Sequence, residues 1–167
     1  MSPAITPIFE ETQWFWRRWW WLIGPLSLLP LALETLAFSH PLSSKLLLTV
    51  GPIGVLMLAG MALLRLTVRI DAVGIHYQYI PLLNRWRHWP WSEFRRVFPR
   101  TYSPLGDFGG WGIKGFPGDL VYNVWGPDGL QLVFRSGNRL LLGTQRPDEL
   151  RAALALLAAD ASRPIKV

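Results

Sequence analysis

The chain has no cysteine, which excludes disulfides, thiolate metal sites and thiol nucleophiles. Histidine is scarce. His40, His76 and His88 are the whole complement, and none has a second ligand three or four residues away. A zinc centre would require His76 and His88 to converge with a carboxylate from elsewhere, and no metal is expected. Charge is sparse too: 17% of the 167 residues are charged, below the roughly 25% of a typical soluble domain. The nucleophile-elbow pattern Gly-x-Ser-x-Gly does not occur, and no carboxylates are paired at catalytic spacing. Residues 103–118 are rich in glycine, but no Gly-Lys-Ser/Thr follows them, so no phosphate-cradling loop is read there. No catalytic or cofactor-binding residue is assigned, and the chain is expected to be non-enzymatic and free of cofactors.

What the chain does have is apolar and aromatic. Half of it is hydrophobic and ten residues are tryptophan, five of them between Trp14 and Trp21. Two apolar runs, 19–38 and 46–64, flank a short polar break at 39–45. At about 1.5 Å rise per residue, each is long enough to cross a hydrocarbon core of about 30 Å. The expectation is an N-terminal two-helix transmembrane hairpin over 19–64. Residues 1–18 precede it as a cytoplasmic tail and an aromatic, basic interface segment. Trp14, Trp16, Trp19, Trp20 and Trp21, with Arg17, Arg18 and Arg65, are the expected membrane-interface residues, because indoles and arginines favour the headgroup level. A cleaved leader ending near Ala37-x-Ser39 fits less well, since the first run exceeds a 7–15-residue signal core. Arg17, Arg18, Arg65 and Arg69 flank the hairpin's outer ends, while its connecting loop carries Lys45 alone. That bias implies a multi-pass protein of a bacterial inner membrane with both termini cytoplasmic. Glu34, the one charge in the first run, supports an alternative: a membrane enzyme or transporter subunit.

From Arg65 onward the charge is 14 Lys and Arg against 8 Asp and Glu, a surplus of 14 − 8 = +6. Hydrophobic periodicity changes here to two. Leu66, Val68 and Ile70 alternate with polar residues, and Ile75, Tyr77 and Tyr79 repeat the pattern after a turn at Asp71-Ala72-Val73-Gly74. Further strands are expected around 85–91, 94–102, 120–125, 130–135 and 139–143, with Pro99 pushing the second toward an edge. Gly126-Pro127-Asp128-Gly129 marks a turn. Pro147 suits the first position of a helix whose apolar face is Leu150, Ala153, Leu154 and Leu157. About seven antiparallel strands in consecutive order, closed by this helix, are expected over 65–160, with 161–167 as a tail. The succession RIDAVGIHY, WPWSEFRRV, GGWGIKG and GLQLVFRSGNRLLLGTQRPDEL resembles small bacterial membrane-anchored proteins with a pleckstrin-homology-like domain. That resemblance covers roughly 67 to 157. It implies an α+β membrane protein: a hairpin followed by a seven-stranded antiparallel bent sheet or barrel capped by a C-terminal helix. It carries over no ligand and no catalytic residue.

The most distinctive cluster in this part is Arg85, Arg87, Trp89 and Trp91, continued by Arg95, Arg96 and Arg100. Three readings compete for it. The side chains could face a membrane surface; they could hold nucleic acid, with arginine on phosphate and tryptophan stacked on bases; or the tryptophans could be core and the arginines a solvated strand face. The expected function is a membrane-anchored module that binds a membrane-surface ligand or a protein partner. Membrane lipids, a membrane protein or a second copy of the chain are the expected partners, and nucleic acid is disfavoured. An accessory or assembly subunit of a membrane complex is the alternative.

Overall fold

The computed structural model describes residues 6–21, 24–25, 29, 52, 55–56, 58–159 and 163–166. The chain divides into two compact units, 1–13 with 65–167, and 14–64. In the first unit nine strands form two sheets. One sheet has the order β1 (Phe9–Trp14), β2 (Arg65–Ile70), β3 (Gly74–Ile80), β4 (Leu83–Pro90). The other has the order β5 (Phe94–Thr101), β8 (Asp128–Phe134), β9 (Arg139–Gly143), β7 (Asp119–Asn123), β6 (Gly112–Phe116). A short helix α1 (Pro104–Phe108) follows β5, and α2 (Pro147–Ala158) follows β9.

Local chemistry explains the best-formed hairpin. Leu66, Val68 and Ile70 of β2, with Ile75, Tyr77 and Tyr79 of β3, are all buried on the inner face. Their register, Leu66↔Tyr79 through Ile70↔Ile75, keeps those apolar residues together. The Asp71 carboxylate sets the turn by accepting from Val73 N and Gly74 N at 2.8 and 2.9 Å. Gly74 is required by close approach: a Cβ there would lie 2.2 Å from the Trp89 carbonyl oxygen on β4. In α2, Leu150, Ala153, Leu154 and Leu157 are the buried residues, so the face read from the sequence is the packed one.

The expected hairpin and seven-stranded order are both corrected. Among the described residues no helix is long and apolar enough to cross a membrane. The two-helix transmembrane hairpin over 19–38 and 46–64 is therefore overturned, and with it the multi-pass inner-membrane placement. Apolar length is necessary for a spanning helix, but it does not by itself make one. Glu34, His40, Lys45 and most of the remainder of 19–64 lie outside the described residues. The fold is mainly β: among the described residues, 65–160 hold eight strands instead of seven, and β1 ahead of them makes nine. Their order is not consecutive, because β7 pairs with β9 in parallel and carries β6 at the sheet's far edge.

A further difference lies at the N-terminus. Part of the segment read as a tail forms β1, beside β2. Ile8 N donates to Ile70 O at 2.9 Å, and Arg69 Nε donates to Glu10 Oε1 at 2.8 Å. Phe9, Glu11 and Gln13 face inward and are buried. Gln13 Nε2 donates to Gly143 O at 2.6 Å, and the Glu11 carboxylate accepts from Thr144 Oγ1 at 2.6 Å and Gln145 N at 2.8 Å. These bonds tie the first sheet to the end of β9. Elsewhere the inner faces meet through Tyr77 and Tyr79 against Tyr122, and through Trp89 against Phe134.

Burial raises the Glu11 carboxyl above its usual range, more than its hydrogen bonds and Arg146 lower it. Its linked stability is therefore fully present below about pH 4.5 and is lost as pH rises through the raised native value. Glu11→Gln keeps the side chain neutral throughout. The melting temperature of wild type minus that of the variant is expected to fall as pH rises from about 4 to about 7. A difference that stays flat would contradict this assignment.

Candidate functional site

The outer face of the five-stranded sheet carries the densest positive charge described. Its cause is local. A strand normally sends consecutive side chains to opposite faces, but the β5–β8 register shifts between Phe94 and Arg96. Such a β-bulge re-aims side chains. Here it leaves both Arg95 and Arg96 exposed and lining one cavity of about 430 Å³. Cross-strand pairing then brings in residues distant in sequence. Arg96, Val133 and Arg139 form one row across β5, β8 and β9, and Phe98 lies opposite Gln131 in the next.

The boundaries of this groove are equally specific. Residues 164–166 run alongside β5: Val97 N donates to Pro164 O, and Lys166 N donates to Val97 O, both at 2.8 Å. This covers the sheet's open edge and places Lys166 on the groove wall. Arg100 lies at the other end, donating from Nη1 to Gln131 Oε1 at 3.1 Å, with Asp107 of α1 at 3.6 Å. The Arg96 guanidinium stacks over the Phe98 ring, 4.5 Å from its centroid, which restricts a long side chain before any ligand arrives.

Four arginines and one lysine thus share the lining with Phe98, Gln131 and Val133, and no lining residue is acidic. Two of the cations have carboxylates just outside the groove: Arg100 has Asp107, and Arg139 has Asp119 at 2.8 Å. Among the described residues no carboxylate pairs with Arg95, Arg96 or Lys166. Guanidinium groups offer planar pairs of N–H donors that match phosphate and carboxylate oxygens. The arrangement can neutralise an anion of several charges and fix its orientation.

The cluster read from the sequence separates into three places. Arg95, Arg96 and Arg100 meet in the groove. Arg85 and Arg87 are exposed on β4, at the edge of the other sheet. Arg87 lies near Tyr77 and Tyr122, whose hydroxyls are held above their ordinary range, chiefly by burial. Trp91 is core: it is 7% exposed, its indole N–H donates to Asp71 O at 3.1 Å, and its ring meets Phe94 edge-on. Trp89 packs edge-on against Phe134 with centroids 4.9 Å apart, lining an aromatic cavity of about 360 Å³ beside Tyr77 and Tyr122.

Arg139, Gln131, Phe98 and Lys166 are site residues the sequence reading missed. Gln131 and Arg139 arrive through the β5–β8 and β8–β9 pairings and Lys166 through the return of 164–166, none of which leaves a local signature, whereas Phe98 lies two residues from Arg96 on β5 itself. One signal was available for the bulge: two successive arginines inside a strand break its period of two.

The expected interface residues lie mostly in the second unit. There Trp16, Trp20 and Trp21 are exposed, Phe15 stacks on Trp19 at 5.4 Å, and Phe15 N donates to Leu64 O at 3.0 Å. Arg17 and Arg18 are exposed on the same helical run, Trp14 ends β1, and Arg65 opens β2 opposite Ile80. Their reading as a headgroup belt was tied to spanning helices, and among the described residues no helix is long and apolar enough to cross a membrane. Among the described residues, no group of three or more His, Asp or Glu is placed to hold a metal ion. In comparisons with known proteins, no protein family, no curated protein and no solved structure matches this chain.

Proposed function

We propose that this chain is a non-enzymatic binding module, pleckstrin-homology-like in type, whose outer-face arginine groove takes a phosphate-bearing anion. The observation that carries this reading is the bulge at Arg95 and Arg96, which places two adjacent cations on one cavity with three more. Phosphate suits the lining better than a simple carboxylate because five cations exceed what one unit of charge requires. The separation of Trp89 and Trp91 from the groove weighs against nucleic acid, since base stacking would need those rings beside the arginines.

Calorimetric titration of the full chain with phosphate, pyrophosphate and tripolyphosphate tests this. Each added charge-assisted contact is worth about 1.5 kcal/mol or more, so binding should tighten by about tenfold per step and weaken as salt is raised. Equal and negligible binding of all three would remove the proposal. Vesicles with and without an anionic phospholipid form a second arm. Binding of free tripolyphosphate and vesicles alike assigns the chemistry to phosphate itself, while binding of anionic vesicles alone assigns it to a lipid surface.

A further inference from the structure

The aromatic cavity of about 360 Å³ lies between the two sheets, beside β4, the edge strand of the first. Strand pairing decides what surrounds it. Side chains directly opposite one another on antiparallel strands share a face, and Ile75 and Tyr77 of β3 are buried on the inner one. Their partners on β4 are Trp89 and Arg87, so both belong to that face as well. From the other sheet come Tyr122 of β7 and Phe134 of β8. The rings meet in two pairs, Tyr77 with Tyr122 at 5.6 Å between centroids and Trp89 with Phe134 at 4.9 Å. Tyr77 and Tyr122 are only 5% and 8% exposed, yet each ends in a hydroxyl. The Trp89 Nε1–H is buried, and no acceptor among the described residues is aligned with it, although the Tyr77 hydroxyl lies close enough to be affected by it. Arg87 is exposed and acts on both hydroxyls, and among the described residues no carboxylate pairs with it.

We propose that this cavity is a second binding site, for a small aromatic carboxylate. Its ring lies among Tyr77, Trp89, Tyr122 and Phe134, and its carboxylate faces Arg87 and the Trp89 N–H. Ligand sites are typically apolar and aromatic pockets of about 300–1,000 Å³ with a few convergent polar groups. A volume near the lower limit restricts the ligand to one or two rings, and four aromatic neighbours offer it edge-on and offset packing. The head group follows from the polar atoms. A buried N–H without an aligned acceptor calls for one, and burial keeps both phenols protonated, so they too can donate. Arg87 adds the charge that selects an anion over a neutral acceptor. A caged ammonium ion is the other ligand that aromatic rings attract, but it would meet the unpaired Arg87. Of the remaining charges on the lining, Arg139 is engaged by Asp119 at 2.8 Å, and Glu93 is exposed to solvent. The cavity is separate from the arginine groove, and the proposal does not rest on that groove.

The test is calorimetric titration of the full chain with 2-naphthoate, with 2-naphthamide, which has the same rings and no charge, and with benzyltrimethylammonium. One equivalent of 2-naphthoate should bind, about tenfold or more tighter than the amide, and the ammonium ion should not bind. Arg87→Gln is the decisive variant, because Arg87 is exposed and its loss leaves the core untouched. It should bring the affinity for 2-naphthoate down by about tenfold, to that of the amide, while binding of the amide stays as it was. The indole N–H resonance of Trp89, identified by its absence in Trp89→Phe, should move downfield as 2-naphthoate is added. Arg95→Glu with Arg96→Glu should leave this binding in place, which separates the cavity from the groove. No binding of 2-naphthoate, equal binding of acid and amide, or preference for the ammonium ion would overturn the proposal. So would binding that Arg87→Gln leaves unchanged, or that the Arg95→Glu, Arg96→Glu variant abolishes.

Discussion

Replacing Arg95 and Arg96 together by glutamate is expected to weaken tripolyphosphate binding at least 100-fold. Hydrogen bonds to charged groups contribute about 1.5–3 kcal/mol each, so losing two gives about 3 kcal/mol or more, which is about 100-fold. The reversed charges add repulsion toward the same ligand. Both side chains are exposed, so the variant should fold, and its melting temperature should stay close to that of wild type. Arg85→Glu with Arg87→Glu makes the same change in net charge on the other sheet. It should alter affinity by no more than about threefold, the scale of a screened long-range effect. If the two double variants lose affinity equally, binding reports net charge alone and the groove is not the site.

The second large effect concerns the fold. A chain that begins at Arg65 is expected not to fold cooperatively, although it contains eight of the nine strands. Removing β1 uncovers the inner-face position of Phe9, which is 5% exposed and worth about 1.5–3 kcal/mol. It also strips Thr144, Gln145 and Gly143 of the Glu11 and Gln13 side chains that bridge the two sheets, and it leaves β2 as a bare edge. Against a total stability of about 5–15 kcal/mol, these losses together are decisive. A synthetic peptide of residues 6–14 added in trans should restore a thermal transition. If residues 65–167 melt as sharply and as high as the full chain, β1 is dispensable.

Those two predictions also mark where the sequence was legible. The β2–β3 hairpin could be read because Leu66, Val68, Ile70, Ile75, Tyr77 and Tyr79 alternate cleanly, and the face of α2 because its apolar residues recur at helical spacing. Strand β1 was hidden for a physical reason. Its inward positions hold Glu11 and Gln13, whose burial is compensated by hydrogen bonds to partners more than a hundred residues away. No pattern of hydrophobicity reveals such a strand. The parallel β7–β9 pair is hidden similarly, because pairing between distant segments leaves no local trace.

The hairpin reading failed in the opposite direction. Residues 19–64 supply the apolar length of two spans, yet among the described residues no helix is long and apolar enough to cross a membrane. At the candidate site the sequence supplied Arg95, Arg96 and Arg100. The fold had to supply Arg139, Gln131 and Lys166, and it had to detach Trp91 as core. His76 and His88 were visible only as two isolated residues, and the β3–β4 register brings them to 3.1 Å.

The most direct test of the groove is to map where the anion sits. Backbone and arginine side-chain resonances of the full chain, followed during a tripolyphosphate titration, should move at Arg95, Arg96, Arg100 and Gln131, at Arg139, and at Lys166 on the C-terminal segment. Those of β4 and of the histidine pair should stay in place. Shifts centred on Arg85 and Arg87, or spread evenly over every exposed arginine, would contradict a built anion site on the outer face of the five-stranded sheet.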